Sequence, residues 1–213
     1  MAATELVIFD CDGVLVDSDR LSLAIQARHI TALGLPMTAE DCSREFLGIG
    51  MESTLETIAA RLGGPLPPSF LPALEAEVEE TFRRELRAVP GIVEALDAIA
   101  LPTCVASGGS QEKMRLTLGL TGLWDRFEGR IFSAGEVARP KPAPDLFLHA
   151  AAQMQADPAC CLVVEDSPFG VAAAKAAGMR CLGFGALTAP ARLAAADRVF
   201  TEMSELPDLL SRG

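Results

Sequence analysis

Short apolar runs and amphipathic segments follow one another along most of this chain, and they predict its architecture. Leu6–Phe9 is a continuous apolar run, which is typical of a strand buried on both faces of a parallel sheet. From Pro90 onward, similar runs alternate with segments of helical periodicity, the pattern of successive βαβ units. Between these parts, residues 17–87 carry apolar positions at helical spacing only. The pattern therefore predicts an α/β domain with a parallel sheet, interrupted after its first strand by helices.

The predicted domain boundaries follow from this change of pattern. Residues 1–16 and 88–213 form the expected α/β core, and residues 17–87 form an all-helical cap domain that we expect over the ends of the strands. Thr38 is a predicted N-cap, and Gly178 is a predicted helix stop. The predicted helices cover 19–33, 38–47, 52–62, 69–87, 91–100, 110–119, 144–153, 168–178 and 190–196, with one more at the C-terminus, and the later strands cover 103–107, 130–133, 161–165, 180–184 and 198–200.

Charge and composition restrict the classes of partner. The formal net charge of -11 argues against nucleic acid or an anionic membrane, both of which require clustered Lys and Arg. No run of eighteen apolar residues occurs, and the first residues lack the features of a signal peptide, so a cytoplasmic protein is expected. The six cysteines show no Cys-x-x-Cys pair and are expected to be free thiols. A small anionic substrate needs only a local positive site, which a metal ion can supply.

Two acids leave the first predicted strand at its carboxyl end. Asp10 and Asp12 are two residues apart, so both side chains can face one bound group, and Gly13 allows a sharp turn after them. An ordinary solvated turn is the alternative. A calcium-binding loop is excluded, because its closing Glu would fall at Leu21.

Two later segments carry groups suited to phosphate. Ser107–Ser110 places a hydroxyl and two glycines before a helix, where backbone N–H groups and the helix dipole can hold phosphate oxygens. The alternative is a glycine turn capped by Ser110. Lys141 lies among prolines on a stiff, non-helical segment, although a single lysine is often merely solvated.

A third segment, Glu165-Asp166-Ser167, ends another strand with adjacent acids. Hard oxygen ligands of this kind suit magnesium. N-capping by Asp166 or Ser167 ahead of Pro168 is the alternative, and capping and metal binding can coexist.

These segments, in this order and at the ends of strands, resemble the four motifs of the haloacid dehalogenase superfamily. The resemblance implies a Rossmann-like parallel sheet core, and the position of the insertion is similar to that in the group with a small helical cap. This group includes phosphoglycolate phosphatase, β-phosphoglucomutase and sugar-phosphate phosphatases, and residues 102–108 and 160–167 look like a bacterial 6-phosphogluconate phosphatase subgroup. The matching segments are 9–18, 106–109, 141–145 and 164–170.

The resemblance also implies roles for individual residues. Asp10 would attack phosphorus and become an aspartyl phosphate, while Asp12 would act as general acid and base. Mg²⁺ would be bound by Asp10, the backbone carbonyl of Asp12 and Asp166, with assistance from Glu165. The transferring phosphoryl oxygens would be bound by Ser107, Gly108 and Lys141.

Three alternatives to a phosphatase fit the residues less well. Asp12 disfavours haloacid dehalogenation, whose enzymes usually lack the second acid. Mutases of the group usually carry a His where Ser22 stands and a phosphate-binding Arg where Met51 stands, so hydrolysis is favoured over mutase activity. A non-enzymatic binding module would lack some catalytic group, and none is missing.

The expected substrate is a small phosphate monoester, a sugar phosphate or sugar-acid phosphate. Arg20, Arg44 and Met51 in the helical region are candidates for selecting it. A monomer or weak homodimer is expected.

Overall fold

The computed structural model describes residues 3–211. Two compact units are present: one contains the chain up to Asp17 together with the chain from Arg87 onward, and the other is Ser18–Leu86. The first unit contains the sheet and the second is helical.

The sheet has six parallel strands in the order β3-β2-β1-β4-β5-β6. In the centre, Ile8 of the first strand lies opposite Cys104 on one side and Val163 on the other. This architecture confirms the predicted α/β fold with a parallel sheet and an inserted helical region. The strands are β1 (Leu6–Phe9), β2 (Thr103–Ser107), β3 (Ile131–Ser133), β4 (Cys161–Glu165), β5 (Arg180–Phe184) and β6 (Arg198–Phe200).

The α-helices agree closely with the predicted segments. Within residues 3–211 they are α1 (Ser18–Ala32), α2 (Ala39–Phe46), α3 (Met51–Leu62), α4 (Phe70–Glu85), α5 (Ile92–Ala98), α6 (Gln111–Leu120), α7 (Trp124–Phe127), α8 (Asp145–Gln153), α9 (Pro168–Ala176) and α10 (Leu206–Ser211). Two details differ from the prediction. The helix α7 was not predicted, because one turn is too short to show a period, and the predicted helix at 190–196 is a 3₁₀ turn, Pro190–Leu193.

Each unit has an apolar core of its own. In the sheet unit, Ile8 and Val163 are buried together with Phe147 of α8 and Ala173 of α9. The alanines of α9 allow it to approach the sheet closely, and Gly178 follows that helix with φ 74°, as predicted for a helix stop. These contacts fix the strands whose ends carry the predicted site residues.

In the helical unit, α1 packs against α2 and α4. Its core includes Ile30, Phe46, Ile58 and Phe70. No helix of the described chain, residues 3–211, has the length and apolar character needed to cross a membrane.

The start of α2 is fixed by reciprocal hydrogen bonds between Thr38 and Asp41, which confirms the predicted N-cap. Asp41 N donates to Thr38 Oγ1 over 3.1 Å, while Thr38 N and Thr38 Oγ1 donate to Asp41 Oδ2 over 2.9 and 2.7 Å. The hydrogen bonds from the side chain and backbone of Thr38 and from Arg44 lower the pKa of Asp41 to about 2.

We expect Thr38→Ala to lower the free energy of unfolding by about 1 kcal/mol at pH 7, since the cap bond is lost. The matched control is Ser69→Ala, because Ser69 precedes α4 without a side-chain cap bond. The ionised Asp41 carboxylate stabilises the folded protein fully above its unfolded pKa, and this stabilisation is lost as the pH falls towards its folded pKa of about 2. The difference in unfolding free energy between the native protein and Thr38→Ala should therefore shrink on acidification. Urea unfolding measures both variants, and equal effects of the two substitutions would contradict the assignment.

Candidate active site

The register of the three central strands places the predicted site residues beside one another. Phe9 of β1 lies opposite Val105 of β2 and Val164 of β4. Asp10 follows Phe9, and Glu165 follows Val164. The two acids therefore lie at the same edge of the sheet, at the carboxyl ends of the strands, which is where parallel α/β sheets bind ligands. Asp10 N donates to Val164 O over 3.0 Å, so the sheet pairing continues up to the carboxylate itself.

The side chain of Lys141 joins these strands at their ends. Its Nζ donates to Asp10 Oδ1 over 2.6 Å, to Glu165 Oε1 over 2.7 Å and to Ala106 O over 3.2 Å. The ammonium also lies 4.7 Å from the centre of the Phe147 ring. Although burial opposes it, the charges of Asp10 and Glu165 raise the pKa of Lys141 above its usual range. Lys141 therefore stays an ammonium that three acceptors hold in place.

The segment that carries Lys141 is fastened to α8. Arg139 Nε and Nη2 donate to the two carboxylate oxygens of Asp145 over 3.1 and 2.8 Å. Asp145 is the first residue of α8, so this pair connects the irregular segment to a packed helix.

Asp10 is a buried carboxyl among other acids. Burial raises the pKa of Asp10 to about 7; the Lys141 ammonium opposes this shift, and the nearby charges of Glu165 and Asp12 add to it. Additional positive charge near Asp10 would favour its carboxylate form.

Glu165 is engaged by both of its oxygens. While Oε1 accepts from Lys141, Oε2 accepts from Ser167 N over 2.7 Å and from Ser167 Oγ over 2.9 Å. Ser167 is also the N-cap of α9, since its Oγ accepts from Gly170 N over 3.0 Å. The capping alternative is thus confirmed for Ser167, and Glu165 acts here as a support for Lys141.

Gly170 is required by the position of Glu165. A Cβ on this glycine would lie 1.7 Å from Glu165 Oε1, far inside any allowed contact. The first turn of α9 and the carboxylate therefore occupy the same small space.

Asp12 has a cationic partner that the sequence analysis did not identify. Lys113 Nζ donates to Asp12 Oδ2 over 2.8 Å. Gly13 follows with φ 74°, which confirms the sharp turn predicted there. One signal in the sequence points to this contact: Lys113 stands three residues after the predicted N-cap Ser110, where the helix dipole disfavours a cation that has no acidic partner.

The Ser107–Ser110 loop has the features of an anion site. Ser107 is buried at the end of β2, and its Oγ accepts from Gly109 N over 3.1 Å. Ser110 caps α6 by accepting from Lys113 N, as predicted. Gly108 leaves open space where a side chain would stand, so its backbone is accessible to a ligand.

Cys11 is inert although it stands between the two acids. It is fully buried, and burial together with the charges of Asp12 and Asp10 raises the pKa of its thiol well above the usual value. Thiolate is the nucleophilic form of cysteine, so this thiol is a packing group. All six cysteines, which fall within the described residues, are free.

The other predicted site residues lie in the helical unit. Arg20 is on α1 and lines a groove of about 710 Å³ between α1 and α4. Arg44 on α2 pairs with Asp41 over 2.5 Å, and Met51, 44% exposed, begins α3. Their part in selecting a substrate stays a prediction.

The donors at the strand ends fit a hard divalent cation. Asp10 and Asp166 supply buried carboxylates, and magnesium takes one or two carboxylates together with water and substrate oxygens. Among residues 3–211, no group of three or more His, Cys, Asp or Glu side chains is arranged to hold a metal ion by itself.

Comparison with known proteins decides the family. The family profile described as Haloacid dehalogenase-like hydrolase matches residues 7–184. The chain belongs to this family. Its members are typically magnesium-dependent, and the enzyme is a hydrolase of the phosphatase type. Other similar proteins include sugar-phosphate phosphatases and β-phosphoglucomutase relatives.

Several relatives are similar to this chain over nearly its whole length. It is 31% identical over 211 residues to the 6-phosphogluconate phosphatase of Escherichia coli, covering 98% of this chain and 96% of that protein. A haloacid dehalogenase-like protein from Agrobacterium tumefaciens superposes with a TM-score of 0.90 at 34% identity, covering 99% of both chains. A family hydrolase from Deinococcus radiodurans, solved with phosphate and sodium, gives a TM-score of 0.82 at 30% identity, covering 100% of this chain and 97% of that one.

We expect Gly170→Ala to destabilise the protein by about 1 to 3 kcal/mol, because the new Cβ displaces the Glu165 carboxylate. The displacement also removes a support of Lys141, so phosphate release should fall with stability. The matched control is Gly119→Ala near the end of α6, where a Cβ meets nothing within 4 Å. This control should stabilise the protein by about 0.5 to 1 kcal/mol, since alanine is the better helix former. Urea unfolding of both variants checks the pair, and a neutral Gly170→Ala would show that Glu165 is not confined there.

Proposed function

We propose that this enzyme hydrolyses a small phosphate monoester, a sugar phosphate or sugar-acid phosphate, through an aspartyl phosphate on Asp10. The observation that supports this most directly is the position of Asp10, buried at the end of β1 with the Lys141 ammonium 2.6 Å from its Oδ1. A fixed ammonium between a carboxylate and an incoming dianion reduces their repulsion, which is the main electrostatic obstacle to phosphoryl transfer.

In the first step, an Asp10 oxygen forms a bond to phosphorus while the bond from phosphorus to the ester oxygen breaks. Asp12 gives its proton to that ester oxygen, so the alcohol leaves neutral. In the second step, a water oxygen attacks phosphorus, the bond to Asp10 breaks, and Asp12 takes a proton from the water. Both carboxyl groups return to their starting state.

The phosphoryl oxygens are bound by Ser107, the Gly108 backbone and Lys141. Ser107 is the buried last residue of β2, and α6 begins at Gln111, so this hydroxyl and the backbone N–H groups before the helix are the donors that a phosphate would use. These groups stay in place during transfer, so their charge and dipoles need no reorganisation.

Magnesium would be held by Asp10, the Asp12 backbone carbonyl and Asp166. When bound, it neutralises the negative charge of the phosphoryl group and of the acids around it. Glu165 would assist through water, because its own oxygens are used by Lys141 and Ser167.

Similarity to 6-phosphogluconate phosphatase over nearly the whole chain supports a phosphorylated sugar or sugar acid as substrate. The helical unit would act as the cap, with Arg20, Arg44 and Met51 as candidates for contacts to the sugar. Arginine is suited to a sugar-acid carboxylate, because its guanidinium can bind both oxygens.

We expect Asp10→Asn to lower phosphate release at least about a thousandfold, since the nucleophile is removed. Release of inorganic phosphate from a panel of sugar phosphates, with magnesium and with a chelator, measures this. Asp97→Asn is the matched control, because Asp97 is an exposed aspartate paired with Arg126. Comparable activity of Asp10→Asn and Asp97→Asn, or full activity in chelator, would refute the mechanism.

Mutase activity is the rival that shares the same core. Ser22 and Met51 stand where the mutase pattern has a His and a phosphate-binding Arg, so we expect hydrolysis. With glucose 1-phosphate as substrate and glucose 1,6-bisphosphate present, the expected products are glucose and inorganic phosphate. Accumulation of glucose 6-phosphate without phosphate release would instead assign the enzyme as a mutase. Product analysis by NMR separates these outcomes.

A further inference from the structure

A second ion pair of this site, besides the one between Lys141 and Asp10, has no role in the proposed mechanism. It joins Lys113 of α6 to Asp12, with Nζ 2.8 Å from Oδ2, across 101 positions of sequence. The side chains are 39% and 17% exposed, so the lysine lies at the rim and the carboxylate lies deeper. Both side chains of the pair are thus partly accessible to solvent, the lysine more than the carboxylate.

Within α6 alone, position 113 is electrostatically unfavourable for a lysine. It is the third residue of the helix, where the partial positive charge of the helix N-terminus disfavours a cation. Its backbone is fixed there, because Lys113 N donates to the Ser110 cap over 3.2 Å. The Asp12 carboxylate offsets this repulsion, so the position of Lys113 is explained by Asp12 rather than by the helix.

The loop before α6 leaves room for the lysine stem. A Cβ on Gly109 would lie 3.3 Å from Lys113 Cδ and 3.7 Å from Asp12 Oδ2, so the glycine allows the stem to pass close to the backbone. The loop is held in place by Ser133 Oγ, which donates to Gly109 O over 2.7 Å. Gln111 Nε2 also donates to Ile131 O over 2.9 Å. The loop before α6 and the first residue of that helix are therefore hydrogen-bonded to β3, so the backbone that carries Lys113 is held in place near Asp12.

We propose that Lys113 is a positioning residue, which holds the Asp12 carboxyl group in the orientation needed to reach the ester oxygen of the substrate. The inference rests on the proposed phosphatase function. In this arrangement each acid has its own ammonium: Lys141 holds Asp10 at the attacking side, and Lys113 holds Asp12 at the leaving-group side. A carboxyl group that is free to rotate would spend less time aligned with the leaving oxygen, and alignment is what proton transfer requires.

The consequence depends on the leaving group. A sugar alkoxide must be protonated as it leaves, so an ester of a sugar depends on the orientation of Asp12. p-Nitrophenolate leaves without a proton, so p-nitrophenyl phosphate does not depend on it. A residue that served only the fold, or only phosphate binding, would affect both esters alike.

The experiment compares kcat/KM for glucose 6-phosphate, or the best sugar phosphate found, with kcat/KM for p-nitrophenyl phosphate. For Lys113→Met we expect a fall of about tenfold or more with the sugar phosphate and less than about threefold with the nitrophenyl ester. Lys113→Arg should recover most of the loss, since it restores the cation. In an Asp12→Asn background, Lys113→Met should add no further selectivity between the esters.

Arg115→Met is the matched control on the same helix, because Arg115 lies over the Trp124 ring. It should leave kcat/KM for both esters near the values of the native enzyme.

Equal losses with the two esters, or no loss with either, would overturn the inference while leaving the proposed function standing. A native enzyme that releases phosphate from neither ester would remove the proposed function itself. In that case, urea unfolding of Asp12→Asn, Lys113→Met and the double variant still tests whether Lys113 holds Asp12. Non-additive shifts of the midpoint would support the contact, and additive shifts would refute it.

Discussion

The arrangement of the site depends on one buried ammonium, Lys141 Nζ, placed between the carboxylates of Asp10 and Glu165. Two carboxylates buried this close to each other would repel strongly, and removal of the cation would leave both without compensation. The surrounding features follow from this requirement. Ser167 satisfies the second oxygen of Glu165, and Gly170 gives that carboxylate the space it needs. The parallel register of β1 with β2 and β4 brings these groups to one edge of the sheet.

Local charge at this edge differs from the charge of the whole chain. The chain carries a formal net charge of -11, yet two lysines, Lys141 and Lys113, each contact an acid of the site. The acids still outnumber the ammonium groups, and burial with its acidic neighbours raises the pKa of Asp10 to about 7 despite Lys141. A divalent cation would supply the missing positive charge and hold Asp10 as the carboxylate that a nucleophile requires. The same excess of acid explains why a phosphate ester and a metal are expected to bind together.

Much of the fold was predictable because the signals were local and strong. Apolar runs bounded by turns predicted five of the six strands, such as Cys161–Glu165, with the observed bounds, and cap residues such as Thr38 and Ser110 marked helix starts. Pairings between distant residues were not predictable from one sequence. Lys113 meets Asp12 because β2, which precedes α6, pairs with β1, which precedes Asp12, and no local pattern records that contact. For the same reason, the hydrogen bonds of both Glu165 oxygens, one to Lys141 and one to Ser167, could not be read from residue order.

The most direct test of the account is to identify the atom that accepts phosphorus. The enzyme is mixed with a sugar phosphate and magnesium, quenched in acid within one turnover, and digested for peptide mapping by mass spectrometry. The account predicts one phosphoryl group on the peptide that contains Asp10, located on that side chain by fragmentation. A phosphoryl group on any other residue, or phosphate release with no trapped phosphoenzyme under conditions that preserve acyl phosphates, would contradict it.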